Sequence, residues 1–267
     1  MGAAVASTPE STQDALQKAI SGPQRTRAYM KRDSYRHPLQ TLEFFGMRPD
    51  MTVVEVLPGG GWYTEILAAF LHHQGHLIEA TPSISSPNLF FRKMAIKYKA
   101  KLDADPAVYG RVTMEAFEPP SYMGLGAPDS IDMIVTFRNI HDLMYANVHG
   151  DVSDAIALRF FRSAYRALRP GGILGVVAHR ALANMPVTKS FKLGRLPQDY
   201  VVSLAERAGL RLAGTSEVNA NPKDPGIDPV WYLPPELAQD QKNRARYEAI
   251  GEGDNMTLRF EKPGHQQ

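Results

Sequence analysis

From residue 52 onward, short apolar segments rich in β-branched residues alternate with longer segments in which apolar residues recur every three or four positions. The first pattern predicts buried strands and the second predicts amphipathic helices. The predicted strands are residues 51–57, 76–81, 111–117, 130–137, 173–179, 210–218 and 255–263. The predicted helices between them are residues 62–71, 88–102, 153–168 and 197–209. This alternation indicates an α/β protein with a doubly wound, mainly parallel, seven-stranded sheet.

The two ends of the chain depart from this alternation. We expect residues 1–45 to form an N-terminal extension, disordered at its start, with helices over residues 13–20 and Pro38–Phe45 and a candidate role as a lid. Residues 46–267 would form the main domain. Its last two strands predict an antiparallel pair, with an antiparallel strand at one edge of the sheet. The connection between them, residues 219–254, is too long for a hairpin loop and predicts an insertion, a second candidate lid.

Composition excludes several kinds of chemistry. Of the 267 residues 43% are hydrophobic and 22% charged, and the net charge is only +2, so neither a nucleic acid nor a membrane is predicted as a partner. The absence of cysteine rules out disulfides, a thiol nucleophile and a thiolate metal site. We predict no metal site of another kind. We expect a cytoplasmic protein, with an exported protein whose leader has been removed as the alternative.

A glycine-rich loop follows the first predicted strand. Gly59, Gly60 and Gly61 come directly after Pro58, and Glu55 precedes them inside the strand. Such a loop lets a ligand approach the backbone closely at the carboxyl end of a parallel sheet. The dinucleotide pattern G-x-G-x-x-G is incomplete because Thr64 stands at its last position, and no Walker loop is present. A tight turn that binds nothing is the alternative.

The segment EVLPGGG resembles the first motif of class I S-adenosylmethionine-dependent methyltransferases, D/E-x-G-x-G-x-G, although Leu57 replaces the first glycine. DSIDMIVTFRNIHDL and the RPGG turn resemble later parts of the same family, so that the likeness covers about residues 40–218 and the last strand. RDSYRHP, PGGGWYT, FRNIHD, NPKD, VWYLPPEL and DNMTLRFEKP resemble, more narrowly, a group of predicted bacterial methyltransferases of undefined substrate.

The resemblance implies S-adenosylmethionine as the cofactor, with S-adenosylhomocysteine as its product. It implies a cofactor site formed by Glu55, Pro58, Gly59, Gly60, Gly61, Tyr63, Glu79, Thr81, Glu115, Ala116, Phe117, Arg138 and Asn139. The acid that binds the ribose in this family corresponds to Glu79 or, in the local frame, to Thr81. We favour Glu79, because a carboxylate accepts hydrogen bonds from both hydroxyls.

The residues after the fourth strand face the transferred methyl group in this family. His141 is therefore the candidate that removes a proton from the acceptor or orients it, and Asp142 is its candidate partner. A helix cap followed by a buried histidine is the alternative. Candidate acceptor-binding residues are Tyr35, His37, His179 and Trp231, and each also fits an ordinary surface or packing role.

The sequence thus predicts an enzyme that transfers a methyl group to a small molecule by in-line displacement. Trp231 and Tyr232 hint at an apolar or aromatic acceptor. Two alternatives stay open: a nicotinamide-dependent oxidoreductase, and a non-catalytic protein that binds S-adenosylmethionine.

Overall fold

The computed structural model of the protein describes residues 11–146, 152–238 and 242–264. Its main feature is a seven-stranded sheet. The strands are β1 (Thr52–Val56), β2 (His76–Thr81), β3 (Thr113–Ala116), β4 (Ile131–Phe137), β5 (Leu168–His179), β6 (Arg211–Ser216) and β7 (Asn255–Glu261). They lie in the order β3-β2-β1-β4-β5-β7-β6. The predicted fold class and all seven predicted strands are confirmed.

Helices cover both faces of this sheet. They are α1 (Thr12–Ser21), α2 (Arg27–Met30), α3 (Asp33–Arg36), α4 (Pro38–Phe45), α5 (Thr64–Leu71), α6 (Leu89–Asp103), α7 (Pro106–Tyr109), α8 (Ala155–Ala167), α9 (Val187–Ser190), α10 (Gln198–Arg207) and α11 (Arg244–Ile250). Short 3-10 helices cover Ile140–Leu143, Phe191–Leu193 and Val230–Tyr232, and Tyr145–Ala146 pairs antiparallel with Val152–Ser153. None of the helices in the described ranges is long and apolar enough to cross a membrane.

Alternation along β1 divides the hydrophobic core into two layers. Val54 and Val56 pack with α8 and α10 on one face, and Val53 packs with α1, α4, α5 and α6 on the other. Side chains two positions apart point to the same face of a strand. Glu55 therefore shares the face of Val53, and it lies under α5 and α6 as a buried acid within a mainly apolar layer.

The described part of the N-terminal extension belongs to this core. Leu16 in α1 and Leu42 and Phe45 in α4 are fully buried and share the hydrophobic layer of Val53. The predicted boundaries Pro38–Phe45 match α4, which begins at a proline and ends at Gly46 in the left-handed conformation (φ 78°). The disorder predicted for residues 1–12 is wrong at Ser11 and Thr12, which cap and begin α1, and residues 1–10 lie outside the described part of the chain. A lid role of residues 1–45 stays a prediction.

The antiparallel pair predicted at one end of the sheet is present. β7 runs antiparallel to both β5 and β6 and inserts between them, so that β6 is the outermost strand. The RPGG segment departs from a simple turn: residues 169–172 bulge out of β5 opposite the single residue Asp132 of β4, with Gly171 at a φ of 76°. The connection over residues 219–254 carries the 3-10 helix Val230–Tyr232 and α11.

Candidate active site

Two cavities open at the carboxyl ends of the parallel strands. One, called here the polar cavity, has a volume of 370 Å³ and lies between the glycine loop, the ends of β4 and β5, helices α2 and α3, and the insertion. The other, called here the apolar cavity, has a volume of 410 Å³ and lies over the ends of β1, β2 and β3. Their walls share four residues, Leu57, Gly59, Asn139 and Asp142. The two cavities therefore meet at these four residues.

Aromatic and aliphatic side chains form most of the apolar cavity. Its walls include Phe91, Met94 and Leu143, with Phe117 at its inner side. Phe117 has no solvent exposure and meets Phe160 edge-on, with ring centroids 6.3 Å apart. Thr81, the last residue of β2, lies on the same wall. The cavity is thus mainly apolar, with Thr81, Asn139 and Asp142 among its polar residues.

The glycine loop has a left-handed backbone at three positions. Leu57 has a φ of 52°, Gly59 of 60° and Gly61 of 81°. Leu57 thus adopts the conformation that a glycine adopts without strain, which costs a side-chain-bearing residue about 1–2 kcal/mol. Leu57 replaces the first glycine of the family motif. It nevertheless keeps the left-handed backbone that a glycine adopts without strain. Its side chain packs on the core and lines both cavities.

Neighbouring side chains explain why glycines follow. The hydroxyl of Tyr29 in α2 donates a hydrogen bond of 2.9 Å to the carbonyl oxygen of Gly60, and a Cβ on Gly60 would collide with that hydroxyl. A Cβ on Gly61 would lie 3.2 Å from the ring of Tyr98, which is tighter than ordinary packing. The loop is thus held from two sides by aromatic residues, and Gly59 is left open toward the cavities.

Asn139 links the end of β4 to the end of β1. Its side-chain nitrogen donates hydrogen bonds to the carbonyl oxygens of Val56, at 2.9 Å, and Leu57, at 3.1 Å. Asn139 was predicted to contact a cofactor, and this stays a prediction. In the structure its amide fixes the backbone that begins the glycine loop, and Asn139 lies on the wall of both cavities.

Glu55 and Glu79 lie beneath the cavity floor. They occupy paired positions on β1 and β2 and are 2% and 0% exposed. Neither contributes to the wall of either cavity, whereas Thr81 does. Glu79 as the ribose ligand stays a prediction. The alternating pleat points both 79 and 81 to one face, but Glu79 sits one pair deeper and is covered, whereas Thr81 lies on the cavity wall.

Burial controls the protonation of this acid pair. Desolvation raises the pKa of Glu55 to about 7, opposed by a hydrogen bond of 2.8 Å that Thr64 donates to its Oε2. Desolvation and the neighbouring Glu55 raise the pKa of Glu79 well above its ordinary value. Two carboxyl groups so close cannot both ionise easily. At neutral pH the pair therefore holds at least one proton and serves as a buried structural element.

Two histidines line the polar cavity side by side. The rings of His141, after β4, and His179, at the end of β5, have centroids 5.6 Å apart. Burial lowers the pKa of both, and the nearby charge of Arg138 further lowers that of His179. Both are therefore neutral at neutral pH. The exposed Asp142 lies 3.4 Å from Nε2 of His141, longer than a strong hydrogen bond.

Arginines surround the rest of the polar cavity. Arg32, Arg36 and Arg138 lie on its wall together with Glu252. Arg138, directly after β4, has a φ of 67°. Like Leu57, directly after β1, it therefore carries a side chain on a left-handed backbone. Such strain is concentrated at functional sites in proteins. The sequence did not predict Arg32, Arg36 or Glu252 as site residues. The segment RDSYRHP, which contains both arginines, resembled the methyltransferase group and could have indicated them, but no local pattern marks Glu252.

The predicted site residues fall into two groups. Those on a cavity wall are Pro58, Gly59, Gly60, Thr81, Phe117, Arg138, Asn139, His141, Asp142, His179 and Trp231. Those away from both walls are Tyr35, His37, Glu55, Gly61, Tyr63, Glu79, Glu115 and Ala116. The second group is explained by depth or direction: Tyr63 is buried against Phe137, with ring centroids 3.5 Å apart, and Glu115 points to solvent from β3. Tyr35 is exposed, and His37 joins α3 to α4 with a φ of 39°.

Solved structures share this architecture. A methyltransferase dependent on S-adenosylmethionine from Aquifex aeolicus matches 94% of this chain and 98% of its own, at 15% identity and a TM-score of 0.57. A protein assigned as a sarcosine dimethylglycine methyltransferase from Galdieria sulphuraria matches 91% of each chain, at 12% identity and a TM-score of 0.58. The chain has the fold of the S-adenosylmethionine-dependent methyltransferases.

A protein named as a cyclase also has this fold. The cyclase SpnF matches 95% of this chain and 93% of its own, at 16% identity and a TM-score of 0.58. No protein-family model and no curated protein sequence matches the chain. The function must therefore be argued from the site.

In the described ranges, no group of three or more histidine or acidic side chains lies close enough together to bind a metal ion. His72 and His73, which end α5, meet each other edge-on and do not form part of such a group.

Proposed function

We propose that the protein binds S-adenosylmethionine across both cavities and transfers its methyl group to a small molecule held in the polar cavity. The observation that supports this most is the junction of the two cavities at Leu57, Gly59, Asn139 and Asp142, at the glycine loop of a methyltransferase fold. An apolar slot beside a polar chamber suits a cofactor whose adenine is flat and whose other end is charged.

The residues present fit this cofactor part by part. Phe117, Met94 and Leu143 offer apolar contacts for the adenine, and the Thr81 hydroxyl offers a hydrogen bond to the ribose. Gly59 offers open backbone for the amino-acid end. When bound, the cofactor supplies a sulfonium methyl group as the electrophile and a neutral thioether as the leaving group.

A small acceptor fits the space that remains. The polar cavity is in the size range of small-molecule sites, and Val230, Trp231, Pro234 and Pro235 of the insertion close one side of it. The protein's main contribution would be to align the acceptor with the methyl group and exclude water. Closure by the insertion is consistent with the lid predicted for residues 219–254.

His141 and His179 can accept a proton from the acceptor. Both are neutral at neutral pH because burial lowers the pKa of each. A hydroxyl or ammonium acceptor must lose a proton during transfer, and a neutral imidazole in the same cavity can take it. We propose His141 for this role because it directly follows the strand that reaches the cavity junction, with His179 as its neighbour.

Calorimetry with S-adenosylmethionine, S-adenosylhomocysteine and NADH tests the proposal. We expect the first two to bind with one site per chain, and NADH not to compete. Met94→Ala should weaken S-adenosylhomocysteine binding by about tenfold, because the adenine loses apolar contact area on the cavity wall. Absence of binding at millimolar concentrations would overturn the proposal, and displacement by NADH would favour the oxidoreductase.

A protein that binds the cofactor without methylating anything is the second candidate, since a named cyclase shares the fold. The two differ in turnover. If the wild type binds S-adenosylmethionine tightly but releases no S-adenosylhomocysteine with a broad panel of acceptors, and His141→Ala changes nothing, the second candidate is favoured.

A further inference from the structure

The charges shielded from solvent around the polar cavity do not balance. Arg32 donates from Nε to Oε1 of Glu252 at 2.6 Å, and Arg36 donates from Nε to Oε2 at 3.0 Å. Arg138 reaches the same carboxylate only at 3.9 Å, beyond hydrogen-bond distance. One buried carboxylate thus faces three guanidinium groups. The other acids on the wall, Asp142 and Glu236, are exposed and screened by water.

Arg138 is the member of this group that lacks partners. Its side chain is 9% exposed, and its Nε, Nη1 and Nη2 atoms form no hydrogen bond within the described part of the chain. Arg36, in contrast, is bonded to Glu252 and lies with its Cζ 4.9 Å from the centre of the Trp62 ring. Buried N–H groups of a cation that lack a hydrogen-bond acceptor destabilise the folded protein. An anion with two oxygens that enters the cavity and accepts hydrogen bonds from this guanidinium removes that penalty.

The position of Arg138 indicates which molecule brings the anion. Its backbone N–H donates to the carbonyl oxygen of Val177 in β5, and its charge acts on His179 at the end of that strand. Arg138 therefore lies on the β5 side of β4, with the histidines and the insertion. The glycine loop follows β1, on the other side of β4.

We propose that Arg138 is the centre of an anion subsite that binds a carboxylate of the acceptor. This inference rests on the proposed function and narrows it, since the sequence suggested an apolar or aromatic acceptor. Guanidinium and carboxylate match in a two-bond geometry. Glu252 holds Arg32 and Arg36 beside the subsite, where they add positive potential. The aromatic Trp231 on the same wall suits the body of such an acid.

Matched acids and amides test the subsite directly. The probes are acetate and acetamide, benzoate and benzamide, and 3-phenylpropanoate and its amide, titrated calorimetrically into the protein saturated with S-adenosylhomocysteine. Each pair has nearly the same shape and differs in charge. We expect at least one acid to bind at least about tenfold more tightly than its amide, the value of a hydrogen bond to a charged group. If no acid is preferred over its amide, the proposal is overturned.

Variants assign the preference to a residue. Arg138→Gln should abolish the preference for the acid, and Arg138→Lys, which keeps the charge and loses the paired geometry, should reduce it. Arg169→Gln is the matched control: it removes the same charge from a half-exposed side chain paired with Asp132 at the opposite end of the sheet, and it should leave the preference unchanged. A preference that persists in Arg138→Gln contradicts the proposal. If that variant does not fold, Arg138→Lys and the wild-type comparison decide.

The cofactor also carries a carboxylate, and a second comparison separates the two sources. 5′-Methylthioadenosine shares the adenosine part of S-adenosylhomocysteine and lacks the amino-acid end. We expect Arg138→Gln to change the affinity for both molecules less than about twofold, a difference of about 0.4 kcal/mol. If it weakens S-adenosylhomocysteine alone, Arg138 binds the cofactor and the acceptor proposal is wrong. If wild-type protein binds neither molecule, the proposed function fails, and the acid–amide comparison on the free protein still decides the anion subsite.

Discussion

Glu55 and Glu79 face each other from paired positions of the parallel strands β1 and β2, and both are shielded from solvent. Thr64 links Glu55 to Tyr98, since its hydroxyl lies 2.8 Å from Oε2 of Glu55 and 2.8 Å from the hydroxyl of Tyr98. Tyr98 lines the apolar cavity. The pair thus supports the floor of the candidate cofactor site, and its protonation is tied to the stability of the fold.

The acid pair predicts a pH dependence of stability. Both pKa values are raised in the folded protein, that of Glu55 to about 7, so the folded state binds protons more tightly than the unfolded chain. The free energy of unfolding therefore falls as the pH rises from the ordinary carboxyl range through about 7. Glu79→Gln removes one acid and should raise the free energy of unfolding by about 1–3 kcal/mol at pH 8, and by much less at pH 5.

Urea unfolding at the two pH values measures this difference. Glu115→Gln, on the exposed side of β3, is the control that changes the same charge at the surface. Equal effects of Glu79→Gln at pH 5 and pH 8, or a loss of stability at pH 8, would contradict the shared-proton account.

At position 57 a glycine variant should be more stable than an alanine variant, the reverse of the usual order. At its φ of 52° a glycine avoids the strain that any side chain causes, so Leu57→Gly should be more stable than Leu57→Ala by about 1 kcal/mol. The control is the exposed Ala100 within α6, where Ala100→Gly should destabilise by about the same amount. Thermal or urea unfolding gives both differences. A more stable alanine variant at position 57 would mean that the backbone there is not left-handed in solution.

Substitutions at Thr81 and Glu79 should change the affinity for the cofactor to different extents. Thr81→Val removes a hydroxyl from the cavity wall at nearly constant volume and should weaken S-adenosylhomocysteine binding by about three- to tenfold. Glu79→Gln should leave the affinity nearly unchanged, since the side chain is covered. Calorimetric titrations of both variants decide between the residues. The opposite ranking would favour Glu79 as the ribose ligand.

Replacing Asn139 with aspartate should destabilise the folded protein. The Asn139 amide donates to two backbone carbonyl oxygens, and a carboxylate at the same place would face both as an acceptor. Asn139→Asp should destabilise by about 2–3 kcal/mol at pH 7, and Asn139→Ala by about 1 kcal/mol. Asn88 provides the reverse case, because its side-chain oxygen accepts from the N–H of Phe90 at the start of α6, and Asn88→Asp should cost nothing. Similar losses at both positions would contradict the assigned hydrogen bonds.

Much of the fold could be predicted because its signals are local. Pro38 and Gly46 mark the ends of α4 through their own backbone preferences, and β2 was predicted at its observed limits, His76–Thr81. The helices α2, α3 and α7 were missed because each has four residues, too few for a periodic pattern. The RPGG bulge depends on pairing with β4, which no local pattern shows.

The site could be predicted only as a region. The glycine loop and the strand ends were found, but the choice between Glu79 and Thr81 depends on how deeply each side chain lies, and the sequence gives only the face. The imbalance at Arg138 arises from Glu252, more than 100 residues later, and from Arg32 and Arg36 in the N-terminal extension. Such long-range contacts leave no trace in spacing.

A crystal structure with S-adenosylhomocysteine would show where each part of the cofactor binds. We expect the adenine in the apolar cavity against Phe117, the ribose at Thr81, and the sulfur atom at the junction formed by Leu57, Gly59 and Asn139, with the vacated methyl position pointing toward His141. An adenine in the polar cavity, or a sulfur atom whose methyl position faces solvent or the core, would contradict it.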